Sequence, residues 1–213
     1  MIDEMRSAWL SFNESKARCA IVTGSGGRAF SAGIDMREPP VDPWRAFPGF
    51  GVSVAKPVIA AVDGYCLGGG YVLAQSCDLI VATRQSTFQF PEARLGAFGG
   101  MGATVGTRVP AKIAAEFLML GEPMSAERAY AVGMINEVVD ASGHLTRAWE
   151  IAGLLADRDL DVLCAIKQLL AEQHRSQIDV FFDVRRTLHG VSGGDRLARA
   201  VANFSGHIAK EEE

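Results

Sequence analysis

Along the first half of the chain, apolar residues come in short unbroken runs closed by glycine or proline. Along the last third they recur at helical spacing. Ile2, Met5, Trp9, Leu10 and Phe12 predict a helix over about residues 1–15. The run Cys19 to Thr23 ends in Gly24, Ser25, Gly26 and Gly27, the mark of a buried strand and its turn. Val58 to Val62 and Asp78 to Ala82 predict two further buried strands, and Thr87 to Phe90 a fourth that Pro91 stops. Between the second and third, Gly68, Gly69 and Gly70 open a helix that runs to about Cys77. Beyond Ala103 the pattern predicts helices near 111–120, 125–132, 144–157, 161–174, 176–189 and 194–204, and a last strand over Ile135 to Val139. Pro39, Pro40, Pro43 and Pro48 exclude regular structure over residues 37–50. Trp44, Phe47 and Phe50 give that loop an apolar underside, to pack on the core or cover a ligand.

Strands alternating with helices predict a parallel α/β sheet. The helical tail, with Leu163, Ile166, Leu169 and Leu170 on its apolar faces, is expected to pack on another subunit. A chain of 213 residues that is 48% hydrophobic and 22% charged holds one sizeable core. A net charge of -4 leaves no basic stripe for nucleic acid. No apolar run is long enough to cross a membrane, so no membrane insertion is expected. Cys19, Cys66, Cys77 and Cys164 form no C-x-x-C pair and suggest neither a zinc site nor a disulfide framework. They read as reduced thiols of a cytoplasmic protein, and no metal is expected.

Two short motifs point elsewhere and fail on context. Gly24 to Ala29 matches G-x-G-x-x-A after a strand, but the long helix that a dinucleotide requires has no room before Pro39 and Pro40. Gly190 to Gly194 matches G-x-S-x-G around Ser192, yet helix rather than strand precedes it and only His207 follows. His144, His174 and His189 also lie in the helical part and are given no chemistry.

Three segments taken together carry the chemistry. They are Ala29-Phe30-Ser31-Ala32-Gly33-Ile34-Asp35, then Lys56-Pro57 through Asp63-Gly64 to Gly68-Gly69-Gly70 and Cys77-Asp78-Leu79, then Phe88 to Phe90-Pro91-Glu92 and Leu95-Gly96 with the glycine-rich stretch to Gly106. Their order and spacing resemble the crotonase, or enoyl-CoA hydratase/isomerase, family. Leu120-Gly121, Ala129 and Gly133-Met134-Ile135-Asn136 extend the likeness, which spans about residues 5–170. The resemblance implies a crotonase-like ββα spiral core over residues 1–142 and a helical region over 143–213 that builds a homotrimer or a dimer of trimers. The family's usual first strand, ending in R-P-x-x-x-N-A-L, is missing, so an open sheet edge is expected.

The resemblance also implies an acyl-CoA thioester substrate and no separate cofactor, coenzyme A being part of the substrate. A carbonyl that becomes an enolate needs donors aimed where charge develops. The resemblance assigns them to the N–H groups of Ile34 and Gly69, with Gly68 and Gly70 letting the thioester approach the main chain. It places Ser31, Ala32 and Asp35 against the CoA, and Lys56 is a candidate for a CoA phosphate. Phe98 and Met101 suggest an apolar acyl pocket. Hydratases of the family use two glutamates. One position is Val72 here, which lines the pocket but moves no proton, and the other is Glu92. The sequence therefore favours double-bond isomerisation with Glu92 as sole proton shuttle. Hydratase-like or hydrolase activity, and a silent acyl-CoA-binding subunit, are the alternatives.

Overall fold

The computed structural model describes residues 1–38, 40, 42–96, 102 and 108–187, without the side chains of 173, 174, 176, 177, 181 and 184–187. The expected helix 194–204 and the residues Phe98, Met101, Gly99 and Gly100 lie outside that description.

Among the described residues, two four-stranded sheets are wound together. The first contains β1 (Ala20–Thr23), β3 (Val58–Val62), β5 (Leu79–Thr83) and β8 (Glu137–Val139), all parallel, in the order β1-β3-β5-β8. The second contains β2 (Ala29–Ser31), β4 (Tyr65–Leu67) and β6 (Thr87–Gln89), which are parallel, and the antiparallel β7 (Met124–Ser125). Each of β1, β3 and β5 passes through a short turn into its successor in the second sheet. From β4 the chain then returns through helix α2 (Gly69–Gln75). Repetition of strand, strand and helix is the crotonase spiral. The sequence pattern missed β2, β4 and β7, whose two or three residues are too short to show a period of two.

Strand β3 shows why the spiral holds. All five of its residues are buried, as both faces of an interior parallel strand must be. Val58, Ala60 and Val62 face the main core with Cys66, Phe88 and Tyr71. Ile59 and Ala61 point the other way, onto Ala148, Ile151 and Leu155 of α6 (His144–Ala156). Side chains tie the turns together. Asp63 Oδ1, after β3, accepts from Thr83 Oγ1 at 2.7 Å and from Gln85 Nε2 at 2.8 Å. Asn136 Oδ1 accepts from Ile80 N–H at 2.8 Å and leads β8 into place.

The remaining α-helices among the described residues frame this core: α1 (Ile2–Glu14), α3 (Glu92–Leu95), α4 (Ala111–Leu120), α5 (Ala126–Ala131) and α7 (Leu160–Thr187). The sequence divided the last of these near residue 175, whereas the structure has one continuous helix. Asp78 anchors it: Oδ2 accepts from Val58 N–H at 2.8 Å and from Lys167 Nζ at 2.7 Å. Thus the C-D-L motif is architectural. The proline-rich loop contributes to the core, since Ala46 and Phe47 are buried and Trp9 Nε1 donates to the Ala46 carbonyl at 2.9 Å.

Candidate active site

Three backbone segments converge at the start of α2. Gly68 takes φ +49°, a conformation that side chains rarely adopt, and donates its N–H to the Gln89 carbonyl at 2.9 Å. This bond ties the triple glycine to the strand end that leads into Pro91 and Glu92. Gly69 is the first residue of α2, so its N–H has no intrahelical acceptor. Gly70 packs against β2, where a Cβ would lie 2.5 Å from Ser31 Cβ. Only glycine permits that approach.

The Ser31 to Asp35 segment supplies the second wall. Ser31 Oγ accepts from Gly33 N–H at 3.2 Å, and Gly33 takes φ +97°. The turn brings Ile34 against Gly69: a Cβ on Gly69 would stand 3.0 Å from Ile34 Cγ1 and 3.7 Å from Ile34 N. Ile34 N–H has no acceptor among the described residues. Two uncommitted main-chain donors therefore flank one small space. Ala32 and Asp35 are exposed, and Asp35 Oδ1 accepts from Arg37 N–H at 2.9 Å.

Glu92 forms the third wall. Pro91 caps the one-turn α3, its carbonyl accepting from Arg94 and Leu95 N–H at 3.0 Å each, and Glu92 stands at the first helical position. Its Oε1 lies 3.6 Å from where a Cβ of Gly68 would stand. As a whole residue Glu92 is half-buried, yet Oε2 is sealed from solvent and has no hydrogen-bond partner among the described residues. Burial pushes the carboxyl up from 4.5 to about 8, against a smaller pull from its own backbone N–H. Val72 is 2% exposed and belongs to the main core.

One expected site residue is corrected. Lys56 is 7% exposed, with Nζ donating to the Ser15 and Ala17 carbonyls at 2.9 and 2.8 Å. The ammonium also lies 4.4 Å from the centroid of the Phe12 ring. It fastens the end of α1 to β3 and is not presented to a CoA phosphate. A cavity of about 1060 Å³ lies at the other end of α2, between residues 48–55 and α7. None of Ile34, Gly69, Val72 or Glu92 lines it.

No motif in the sequence points to Gln89 or Arg108. Gln89 acts through its carbonyl, which no side-chain pattern reveals, and Arg108 stands alone after the glycine-rich stretch.

Comparison with known proteins bears on the family and the fold. The family model for enoyl-CoA hydratase/isomerase matches residues 51–195. The chain is 32% identical over 196 residues to the carnitinyl-CoA dehydratase of Proteus mirabilis, covering 86% of this chain and 75% of that protein. It is 36% identical over 177 residues to that of Salmonella enteritidis, covering 78% and 68%. The crystal structure of a carnitinyl-CoA hydratase from Mycobacterium avium superposes with a TM-score of 0.83 at 25% identity, covering 96% of this chain and 84% of that one. The chain belongs to the enoyl-CoA hydratase/isomerase family, whose members process acyl-CoA thioesters.

Proposed function

We propose that this enzyme moves a proton on an acyl-CoA thioester, with Glu92 as the carrier and the N–H groups of Ile34 and Gly69 receiving the thioester oxygen. Double-bond isomerisation is the leading reaction. Glu92 takes a proton from C2 of a 3-enoyl thioester, and the electron pair of that bond passes through the new dienolate to the oxygen. The two N–H groups stabilise the negative charge there, each donor contributing on the order of 3 kcal/mol. Glu92 then returns the proton to C4, leaving a 2-enoyl thioester. Ser31, Ala32 and Asp35 hold the CoA portion in this reading, and Val72 keeps the pocket dry.

The observation that carries the proposal is the placement of Glu92: Oε1 faces the triple-glycine turn while Oε2 is sealed, with no partner among the described residues. A carboxylate in so apolar a setting is a stronger base than one in water. The Val72 side chain cannot share its work.

The relatives favour a second reading, because two of them are named carnitinyl-CoA dehydratases. One carboxylate suffices for dehydration of a 3-hydroxyacyl thioester. Glu92 takes the C2 proton and passes it to the departing hydroxide, releasing water and a 2-enoyl thioester. Incubation with a 3-enoyl-CoA, a 2-enoyl-CoA and a 3-hydroxyacyl-CoA, with separation of products, decides between the two. Isomerisation exceeding hydration and dehydration supports the first reading; efficient water addition or loss without isomerisation overturns it. The exposed Ile166, Leu169 and Leu170 on α7 support a homotrimer or dimer of trimers as the working form.

A further inference from the structure

We infer that Arg108 is a positioning residue for the helix that presents the Gly69 N–H, holding α2 from its far end. The inference rests on the reading above, in which that N–H receives the thioester oxygen.

The last four carbonyls of a helix lack intrahelical partners. In α2 these belong to Val72, Leu73, Ala74 and Gln75. The three residues before Gln75 are served locally. Ser76 N–H donates to Val72 O and Leu73 O, at 2.9 and 3.1 Å, and Cys77 N–H donates to Ala74 O at 3.1 Å. Gln75 O is served from afar, by Nη1 of Arg108, 33 positions along the chain. Arg108 Nε is sealed from solvent and has no partner among the described residues, while Nη1 is committed to Gln75 O. Burial lowers its proton affinity, against a smaller opposite pull from Tyr71, Asp78 and Cys77.

The placement gives this contact leverage. Arg108 lies just before α4, and α4 grips α2 at a second point, through Phe117 at 4.9 Å from the Tyr71 ring. Tyr71 also meets Phe90 at 6.1 Å, two residues before Glu92. A seven-residue helix is a rod of about 10 Å. A tilt at Gln75 is therefore felt at Gly69, six positions away. Misplacement of a catalytic group by about 1 Å costs on the order of a hundredfold in rate.

The test uses butanoyl-CoA labelled with ¹³C at the thioester carbonyl. Wild type and Arg108→Met are compared by infrared difference spectroscopy of the bound carbonyl, α-proton exchange in deuterated water and affinity for CoA. In wild type the carbonyl band moves to lower wavenumber on binding. In folded Arg108→Met that displacement is expected to shrink and exchange to slow by about tenfold or more, while CoA affinity is unchanged. Arg108→Lys, which keeps a donor for Gln75 O, should recover much of both. If wild type shows no displacement, the oxyanion reading fails, and Arg108 is not the cause. If wild type shows it and folded Arg108→Met matches wild type in band and rate, the Arg108 inference is overturned. Should Arg108→Met not fold, Arg108→Gln is read in the same way. If neither folds, Arg108 serves folding alone and the inference is also overturned.

Discussion

Glu92 holds its Oε1 3.6 Å from the position that a Cβ on Gly68 would take, and the two residues are joined through the strand end at Gln89. The carboxyl thus stands beside the turn that frees the Gly69 N–H. If this juxtaposition is the active site, Glu92→Gln removes isomerisation and α-proton exchange, because an amide cannot accept the proton. Thioester affinity should stay within a few-fold of wild type, as measured by calorimetric titration with a saturated acyl-CoA. Residual turnover near the wild-type level would remove Glu92 from the mechanism.

The pH dependence of the reaction follows from the same burial. A base must be ionised in the free enzyme, so kcat/KM for isomerisation should rise with pH and level off above about 8, the value to which burial pushes this carboxyl. A profile already flat above pH 5 would show that the proton carrier titrates as an ordinary carboxyl, not one raised by burial.

Stability should move in the opposite direction. The Glu92 carboxyl binds its proton more tightly in the folded chain, at about 8, than in the unfolded chain, at 4.5. Its stabilising contribution is fully present below 4.5 and is lost as pH rises through 8. Each tenfold change in proton affinity is worth about 1.4 kcal/mol. Relative to wild type, Glu92→Gln should therefore gain stability between pH 5 and pH 8.5 in urea denaturation. Equal pH dependence of the two proteins would show that the carboxyl is well solvated.

Much of this arrangement is legible in the sequence, and the limits have physical causes. The buried run Val58 to Val62, the glycines at 68–70 and the P-E pair predict β3, the start of α2 and the place of Glu92, because each depends on local residue type. Lys56 was misjudged because a lysine before a strand looks the same whether it meets solvent or two carbonyls on another element. Its partners, Ser15 and Ala17, lie 41 and 39 positions away. The Asp78 to Lys167 bond spans 89 positions, and the Arg108 to Gln75 bond also crosses elements. Such pairings become visible only when the spiral is wound.

Lys56→Met tests that correction. The substitution leaves two carbonyls, of Ser15 and Ala17, without the donor that now serves both. Ser15 and Ala17 are themselves exposed, so the cost is that of the lost bonds to a charged donor, about 1.5–3 kcal/mol. Unfolding should shift by that order, while the affinity for CoA stays unchanged because the ammonium is not at the ligand. A loss of CoA affinity without a loss of stability would restore Lys56 to the phosphate.

Val72→Glu separates the two proposed reactions. The residue is 2% exposed in the main core and is followed on α2 by Leu73 and Ala74, which are also buried. A carboxyl placed there loses its hydration, so Val72→Glu should lower the melting temperature, and more so at pH 8 than at pH 5, where the new carboxyl is protonated more readily. Two carboxyls flanking one water divide the two proton transfers that a lone Glu92 would have to make in turn: one group takes the proton from water and the other delivers a proton to C2. Hydration of a 2-enoyl-CoA should consequently rise in Val72→Glu, and isomerisation should fall as the pocket becomes wetter. Both rates are read from one product separation on the folded variant. If hydration in folded Val72→Glu does not exceed the wild-type rate, the new side chain does not reach the space between Gly68 and Glu92. Position 72 would then be part of the core alone, and the absence of a second glutamate would not explain a preference for isomerisation.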